Sequence, residues 1–374
     1  MIPGPTNLPS EVVRAMARPA ISHRAEEFHT LFEDSIEKIR RIFYTSNDVF
    51  ILTASGTGGV ECALTNTITK GDKIIVPVYG EFSKRGKAIA ERTGAKCVTK
   101  EYPLGEGLTY EDAKKLIDEN SDAQAIFLVY NDTSPGVEIH DLPKICKYAK
   151  SKGLVTIVDA ISIAGGDYLK IDDWEIDLCV IGTQKCLASP PGISIITVSE
   201  DAWHVISKKN SSSYYFDLKL YKKFSEKKET PFTPAIHLIY ALNEGLSIIL
   251  SQGVKQWIAR HHKNRSALAH AFTNMKFAEY VKEPFRSTTV LSFTCPHGIT
   301  PGELVSRLYA KTRILVARGM GELREKIIRV GNMGITSLRE ILELTASIAY
   351  ILSEYEIDFD LSKIISEIRT IYES

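Results

Sequence analysis

The sequence predicts an α/β protein: a large unit with a mainly parallel sheet covered by helices, then a smaller C-terminal α/β unit. Three observations carry that expectation. Strand-like and helix-like stretches alternate regularly between residues 49 and 198, the pattern of a parallel sheet joined by crossover helices. The strand-like runs, such as Ala125-Ile126-Phe127-Leu128-Val129, are apolar throughout rather than at every second residue, as strands buried on both faces must be. The 374 residues are 44% hydrophobic and 25% charged, enough chain for two domains and a well-buried core.

At the amino end, Pro3, Pro5 and Pro9 around Gly4 predict an extended arm, because proline removes backbone donors and biases the preceding residue away from helix. Ser10 is the expected cap of a short helix. Phe28, Leu31, Phe32, Ile36, Ile39 and Phe43 then recur at helical spacing over residues 26–43. A strand over 49–53 breaks into Ser55-Gly56-Thr57-Gly58-Gly59, and a helix is expected over 60–68. Strands over 73–78, 95–101, 125–130, 154–159, 178–182 and 193–198 alternate with helices over 81–93, 110–119 and 142–152. Beyond Ser199, the stretch with Lys219, Lys222, Lys223, Lys227 and Lys228 reads as a solvated helix or loop. Thr230-Pro231-Phe232-Thr233-Pro234 reads as a rigid turn before a helix from 236 to about 250, and Gly253 as a hinge. After it come a helix to about 272, a strand over 289–294, a helix over 302–309, strands over 314–316 and 327–330, and helices from 337 onward. The expected division is an arm over 1–20, a large unit over 21–252 and a small unit over 253–374.

Composition narrows the function. Lys+Arg and Asp+Glu are both 46, so no electrostatic footprint for nucleic acid or anionic membrane is expected. The apolar runs fall short of the roughly 18 residues that span a bilayer. The first residues, Met1-Ile2-Pro3-Gly4-Pro5-Thr6-Asn7, lack the basic and apolar regions of a secretory signal, which makes the cytoplasm the expected location. The six cysteines form no C-x-x-C pair and no zinc-type spacing with His, so free thiols and no metal are expected.

The residues that carry chemistry sit at expected strand ends: 79–82, 131–134, Asp159, and Lys185 just past the run Val180-Ile181-Gly182. Open α/β sheets bind ligands at that edge. Each residue also has a plainer reading alone. A lysine there is more commonly a solvated loop residue, an aspartate can simply cap the next turn, and a glycine-rich turn before a helix is either an anion cradle or a tight connection. Together they point to Lys185 as the covalent anchor of an aldehyde cofactor. Asp159 then partners a protonated ring nitrogen, the pattern by which proteins hold pyridoxal phosphate.

Ile157-Val158-Asp159-Ala160-Ile161, Gly182-Thr183-Gln184-Lys185 and Ala188-Ser189-Pro190-Pro191-Gly192 resemble the class V pyridoxal-phosphate aminotransferases, most closely the alanine-glyoxylate, serine-glyoxylate and serine-pyruvate branch. The similarity runs from the arm at residues 3–9 to Arg329-Val330-Gly331. It implies the fold-type I transferase fold, pyridoxal 5'-phosphate as cofactor, and catalytic roles for Lys185 and Asp159. It further implies a phosphate cradle of Thr57, Gly58, Gly59 and Gln184, and a ring stacked on Phe82, where relatives often carry Trp. Thr133 matches a hydroxyl that reaches the cofactor's phenolic oxygen, and Ile161 is a further cofactor-binding position. Thr233, with Thr230 at a nearby position where some relatives have Tyr, matches a phosphate ligand given by the partner subunit, which implies a homodimer with active sites at the interface. Arg329 matches the clamp on the substrate carboxylate, and Gly4 and Pro5 are expected to border the substrate and favour small side chains.

The implied activity moves the amino group of alanine or serine to glyoxylate or pyruvate by a ping-pong cycle. Rival readings are a ureidoglycine or phosphoserine transaminase, a desulfurase or lyase, and a binding protein that keeps the fold without activity. A desulfurase needs a mobile nucleophilic cysteine, and neither Cys186 nor Cys295 sits in such a loop. A non-catalytic protein is disfavoured by the presence of Lys185, Asp159 and Arg329.

Overall fold

The computed structural model describes residues 1–373. Helices α1 (Ser10–Met16) and α2 (Glu26–Phe43) lead into β1 (Asp48–Thr53), followed by α3 (Gly56–Thr67), β2 (Lys73–Ile75), α4 (Glu81–Arg92), β3 (Lys96–Val98), α5 (Tyr110–Asp118) and β4 (Ala125–Val129). A short antiparallel pair, β5 (Asn131–Asp132) and β6 (Val137–Glu138), precedes α6 (Leu142–Ser151), β7 (Val155–Asp159), β8 (Leu178–Gly182) and β9 (Ile193–Val198). The large sheet has the order β1-β9-β8-β7-β4-β2-β3. Strands β3, β2, β4, β7 and β8 run parallel, and only β9 runs against both its neighbours. Every residue of β4, β7, β8 and β9 is buried, which is why their sequences are continuous apolar runs.

This register sets up the site. Asp159, the last residue of β7, lies opposite Val129 on β4 and Val180 on β8. Segments leaving β4, β7 and β8 therefore emerge side by side at the carboxyl edge.

The chain continues through α7 (Glu200–Ile206), α8 (Leu218–Ser225), α9 (Ile236–Gln252) and α10 (Val254–Asn274). A second sheet of β10 (Ala278–Glu279), β11 (Val290–Thr294), β12 (Ala317–Arg318) and β13 (Ile328–Gly331), with order β10-β11-β13-β12, is antiparallel. Helices α11 (Pro301–Thr312), α12 (Leu338–Leu352) and α13 (Leu361–Glu373) accompany it. Each sheet has its own apolar core. Phe28, Leu64, Phe127 and Trp257 belong to the first, and Phe293, Leu304, Ile348 and Ile368 to the second. Within the second, the rings of Phe272 and Phe293 stack at 4.6 Å. Among the described residues no helix is long and apolar enough to cross a membrane.

Several expected elements shift. Helix α3 starts at Gly56, so the glycines fall inside its first turn. A side chain at Gly59 would meet Ser194 Oγ at 2.1 Å and Val180 Cγ1 at 2.7 Å, so the glycine lets the helix lie directly on the sheet. Ser10 is the first residue of α1 and Pro9 its cap. The strand expected at 314–316 forms instead at Ala317–Arg318: Arg313 ends α11 in the left-handed conformation, and three residues outside regular structure pass before Ala317 pairs with Arg329. Part of the lysine-rich stretch is the helix α8.

Candidate active site

Lys185 sits three residues beyond β8 in a turn that is stapled rather than free. The Thr183 hydroxyl donates to the Pro190 carbonyl at 2.6 Å, the Ala188 N–H to the Lys185 carbonyl at 3.1 Å, and the Ser189 N–H to the Thr183 carbonyl at 3.2 Å. From outside, the Thr6 N–H donates to the Gln184 carbonyl and the Thr6 hydroxyl to the Lys185 carbonyl, both at 3.2 Å. The Lys185 Nζ donates to the Pro3 carbonyl. Burial lowers the Lys185 ammonium to about 8, and the Arg329 charge acts in the same direction.

Asp159 is buried at the end of β7. Its Oδ1 accepts the Ile161 N–H at 2.9 Å. Burial raises its carboxyl to about 7; the neighbouring Asp132 adds to that rise, and the Ile161 N–H, Lys185 and Arg85 oppose it.

Lys185 and Asp159 line one cavity of ≈ 150 Å³ together with Thr57, Phe82, Thr133, Ile161 and Gln184. Seven of the expected site residues thus converge. The Ile161 side chain fills the space that Cβ atoms at Gly56 and Gly182 would occupy, 2.5 and 2.7 Å away. The first turn of α3 faces this cavity through Ser55, Gly56 and Thr57, and Ser55 gives it no side-chain cap. First-turn N–H groups lack intrahelical acceptors. Gly58 is packed against Ala54 and Phe216, and the Gly59 N–H is spent on the Ser55 carbonyl at 3.1 Å; neither lines the cavity.

Arg329 comes from β13 of the second sheet. Its Nε donates to the Arg318 carbonyl and its Nη1 to the Thr133 carbonyl, both at 2.9 Å. Burial lowers it to about 10. Gly4 is pressed onto Lys185, whose Nζ would lie 2.6 Å from a Cβ there. Pro5 instead lines a larger cavity of ≈ 350 Å³ on the other side of the arm, with Met1, Arg313 and Glu340. Of the acidic residues lining it, Glu340 is engaged in capping Ser337. Thr230 and Thr233 line neither cavity. Thr230 is buried with its hydroxyl given to the Phe232 carbonyl at 2.7 Å, whereas Thr233 is exposed.

Arg85 and Ser162, which sequence reasoning did not single out, and Asn131, marked only as part of the 131–134 strand end, also line the cavity. Arg85 donates to the Thr57 hydroxyl at 3.1 Å and lies 4.8 Å over the Phe82 ring; its place one turn after Phe82 on α4 was the available signal. Asn131 spends its amide N–H groups on Ser162 at 2.9 Å and Thr289 at 3.0 Å, and its Oδ1 has no partner. Cys186 and Cys295 do not line the cavity, and burial pushes each thiol up to about 12, the opposite of an activated nucleophile.

Comparison with known proteins identifies the family. The family model described as aminotransferase class-V matches residues 3–324. An uncharacterised aminotransferase of Methanocaldococcus jannaschii is 40% identical over 95% of this chain and 92% of its own. A serine–glyoxylate aminotransferase of Methylorubrum extorquens is 30% identical over 89% of this chain and 85% of its own. Among solved structures, a ureidoglycine–glyoxylate aminotransferase from Bacillus subtilis superposes with a TM-score of 0.95 at 29% identity, covering 100% of this chain and 97% of that one. With its mainly parallel seven-stranded sheet and its lysine beyond β8, the chain belongs to the class V aminotransferases.

Proposed function

We propose that the protein is a pyridoxal 5'-phosphate-dependent transaminase that moves the amino group of alanine or serine to glyoxylate or pyruvate by a ping-pong cycle. The observation that carries this reading is the convergence of Lys185, Asp159, Thr57, Phe82, Thr133 and Gln184 on one cavity at the carboxyl edge of the sheet. The cavity also fits the cofactor in what it leaves unsatisfied. The uncapped start of α3 favours a phosphate, and the buried Asn131 Oδ1 awaits a hydrogen-bond donor that the chain does not supply.

When bound, the cofactor supplies an aldehyde and an electron-withdrawing ring, the chemistry by which an amino group changes carriers. In this reading Lys185 would anchor it at Nζ, Thr57 and Gln184 would hold the phosphate at the helix turn that contains Gly58, Phe82 would stack on the ring, and Thr133 would reach the phenolic oxygen beside Ile161. Gly59 seats the helix that carries the cradle. The Lys185 Nζ, held near 8 by burial, would be neutral often enough at ordinary pH to take the substrate's α-proton. Asp159 would pair with the ring nitrogen, and a proton on that nitrogen would favour the carboxylate form that burial disfavours. Arg329 has two of its N–H groups fixed by carbonyls, which leaves the rest of the guanidinium for a substrate carboxylate.

Gly4 lies against Lys185, which supports small donors, whereas Pro5 lines the other cavity and its expected place at the substrate rests on the family resemblance alone. Thr233, exposed and not lining its own cavity, serves the partner's cofactor in a homodimer, with Thr230 holding the turn. The exposed Tyr214 and Tyr215 beside Phe232 supply apolar surface for that contact. An arm at 1–20 and units at 21–252 and 253–374 are part of this reading; the positive φ of 91° at Gly253, between α9 and α10, supports a boundary there, although Trp257 just beyond it packs in the first core. Likeness to the Bacillus subtilis structure favours ureidoglycine as a second donor candidate.

The test is a panel of alanine, serine and ureidoglycine against glyoxylate, pyruvate and 2-oxoglutarate with added pyridoxal phosphate. Fastest turnover with alanine or serine and a two- or three-carbon acceptor supports the reading. Turnover confined to ureidoglycine replaces the donor, and no turnover with any pair removes the reading.

A further inference from the structure

Asp132 is fully buried and, among the described residues, has no salt-bridge partner. An isolated carboxylate in that setting is costly unless hydrogen bonds replace its lost water. Here five donors do so. Oδ2 accepts the Phe82 N–H at 3.0 Å, the Ser83 N–H at 2.9 Å and the Ser83 hydroxyl at 3.0 Å. Oδ1 accepts the Ser134 N–H at 3.1 Å and the Ser134 hydroxyl at 2.7 Å. The Ser134 oxygen in turn accepts the Glu81 N–H at 2.7 Å. All three leading N–H groups of α4 are therefore satisfied by the turn at 132–134, about fifty residues further along the chain.

A helix is ordinarily capped by the side chain just before it. That position in α4 is Gly80, and a Cβ there would lie 2.3 Å from Asp132 Cγ. A local cap would stabilise α4 alone. The distant one fastens α4, which carries Phe82, to the turn that carries Thr133. The same turn offers the Thr133 carbonyl to Arg329 Nη1 at 2.9 Å. One carboxylate thus sets the mutual position of an aromatic ring, a hydroxyl and a guanidinium that come from three separate elements.

We propose that Asp132 is a positioning residue that holds Phe82, Thr133 and, through the Thr133 carbonyl, Arg329 in the geometry that binds cofactor and substrate. This rests on the roles given above to those three residues. Asp132 touches neither ligand; it acts through the shared turn. Asp132→Asn keeps the shape but turns one acceptor oxygen into a donor facing N–H groups, so one side of the link must open.

The experiment measures pyridoxal phosphate affinity by absorbance titration, the visible circular dichroism of the bound cofactor, KM for the amino acid, and Tm. Asp177→Asn is the control. Asp177 is equally buried and accepts from Thr156 N–H at 3.0 Å and the Ser199 hydroxyl at 2.6 Å, but it precedes β8 at the opposite edge of the sheet. Asp132→Asn should weaken cofactor affinity and raise KM about tenfold or more and reduce the visible dichroism, while Asp177→Asn lowers Tm and leaves all three within about twofold. The proposal is overturned if Asp132→Asn keeps both binding constants within about twofold, or if the two variants lose them in proportion to Tm. Should Asp132→Asn not fold, Ser134→Ala removes the hydroxyl that donates to Oδ1 and accepts the Glu81 N–H, and leaves the Ser134 backbone N–H on Oδ1. It should move the same readouts by about threefold or more, and wild-type values for it also overturn the proposal. If the wild-type protein itself takes up no pyridoxal phosphate, the functional reading fails; if it does and these variants match it, only the role of Asp132 fails.

Discussion

The Nζ of Lys185 donates a hydrogen bond to the carbonyl oxygen of Pro3, so the first residues of the chain cover a side chain more than 180 positions away. The arm is pinned by its own contacts. Gly331 N–H donates to the Met1 carbonyl at 2.9 Å, and the Thr6 N–H and hydroxyl hold the Lys185 turn. The amino terminus is thereby part of the wall around the candidate catalytic lysine.

Gly4 makes that cover possible. It has φ 91°, and a Cβ would sit 2.6 to 2.9 Å from the end of the Lys185 side chain. Gly4→Ala combines left-handed strain of roughly 1–2 kcal/mol with a direct clash. Cofactor affinity and turnover should fall at least several-fold with little change in the far-UV circular dichroism. Wild-type kinetics would show that the arm does not rest on Lys185 in solution.

Burial places the Lys185 ammonium near 8, so the rate at which added pyridoxal phosphate is taken up should rise through about pH 8 with a slope of one proton. Stopped-flow absorbance checks this. A rise delayed to the ordinary lysine range, near 10.5, would mean that Lys185 is solvated.

Asp159 predicts a pH dependence of stability in the cofactor-free protein. Its folded value, about 7, lies above the unfolded 3.8, so the folded state holds the proton more tightly. The wild-type protein should therefore lose stability as pH rises from about 4 through 7, whereas Asp159→Asn should not. Denaturant midpoints of the two proteins measured from pH 4 to 8 should diverge in the variant's favour. Parallel curves would mean that Asp159 is solvated.

Arg329→Lys keeps the charge but cannot serve the Arg318 and Thr133 carbonyls and a carboxylate together. KM for amino acids and oxo acids should rise about tenfold to a hundredfold, and the slow reaction of an amine without a carboxylate should be unaffected. Equal losses for both amines would remove the clamp role.

The sequence revealed what depends on local pattern and strand order. Buried parallel strands read as apolar runs, and residues just past them, Asp159 and Lys185, were legible as site candidates because such ends share one edge. Contacts across large sequence separations were not legible. Nothing in the composition of the arm says that Pro3 meets Lys185, or that Asp132 caps a helix about fifty residues earlier. Asn131 stood in a stretch already marked as a strand end, but its significance lies in an amide oxygen left unpaired by Ser162 and Thr289, which only packing reveals. The late start of β12 follows from the left-handed Arg313, and left-handed conformations outside glycine carry little sequence signal.

The central claim is that Lys185 carries the cofactor. Purified Lys185→Ala mixed with pyridoxal phosphate should lack the visible absorbance band of the wild-type protein and should show no turnover with any amino donor, while unfolding as cooperatively as the wild type. A persistent protein-bound band with residual transamination would place the anchor on another residue and contradict the account.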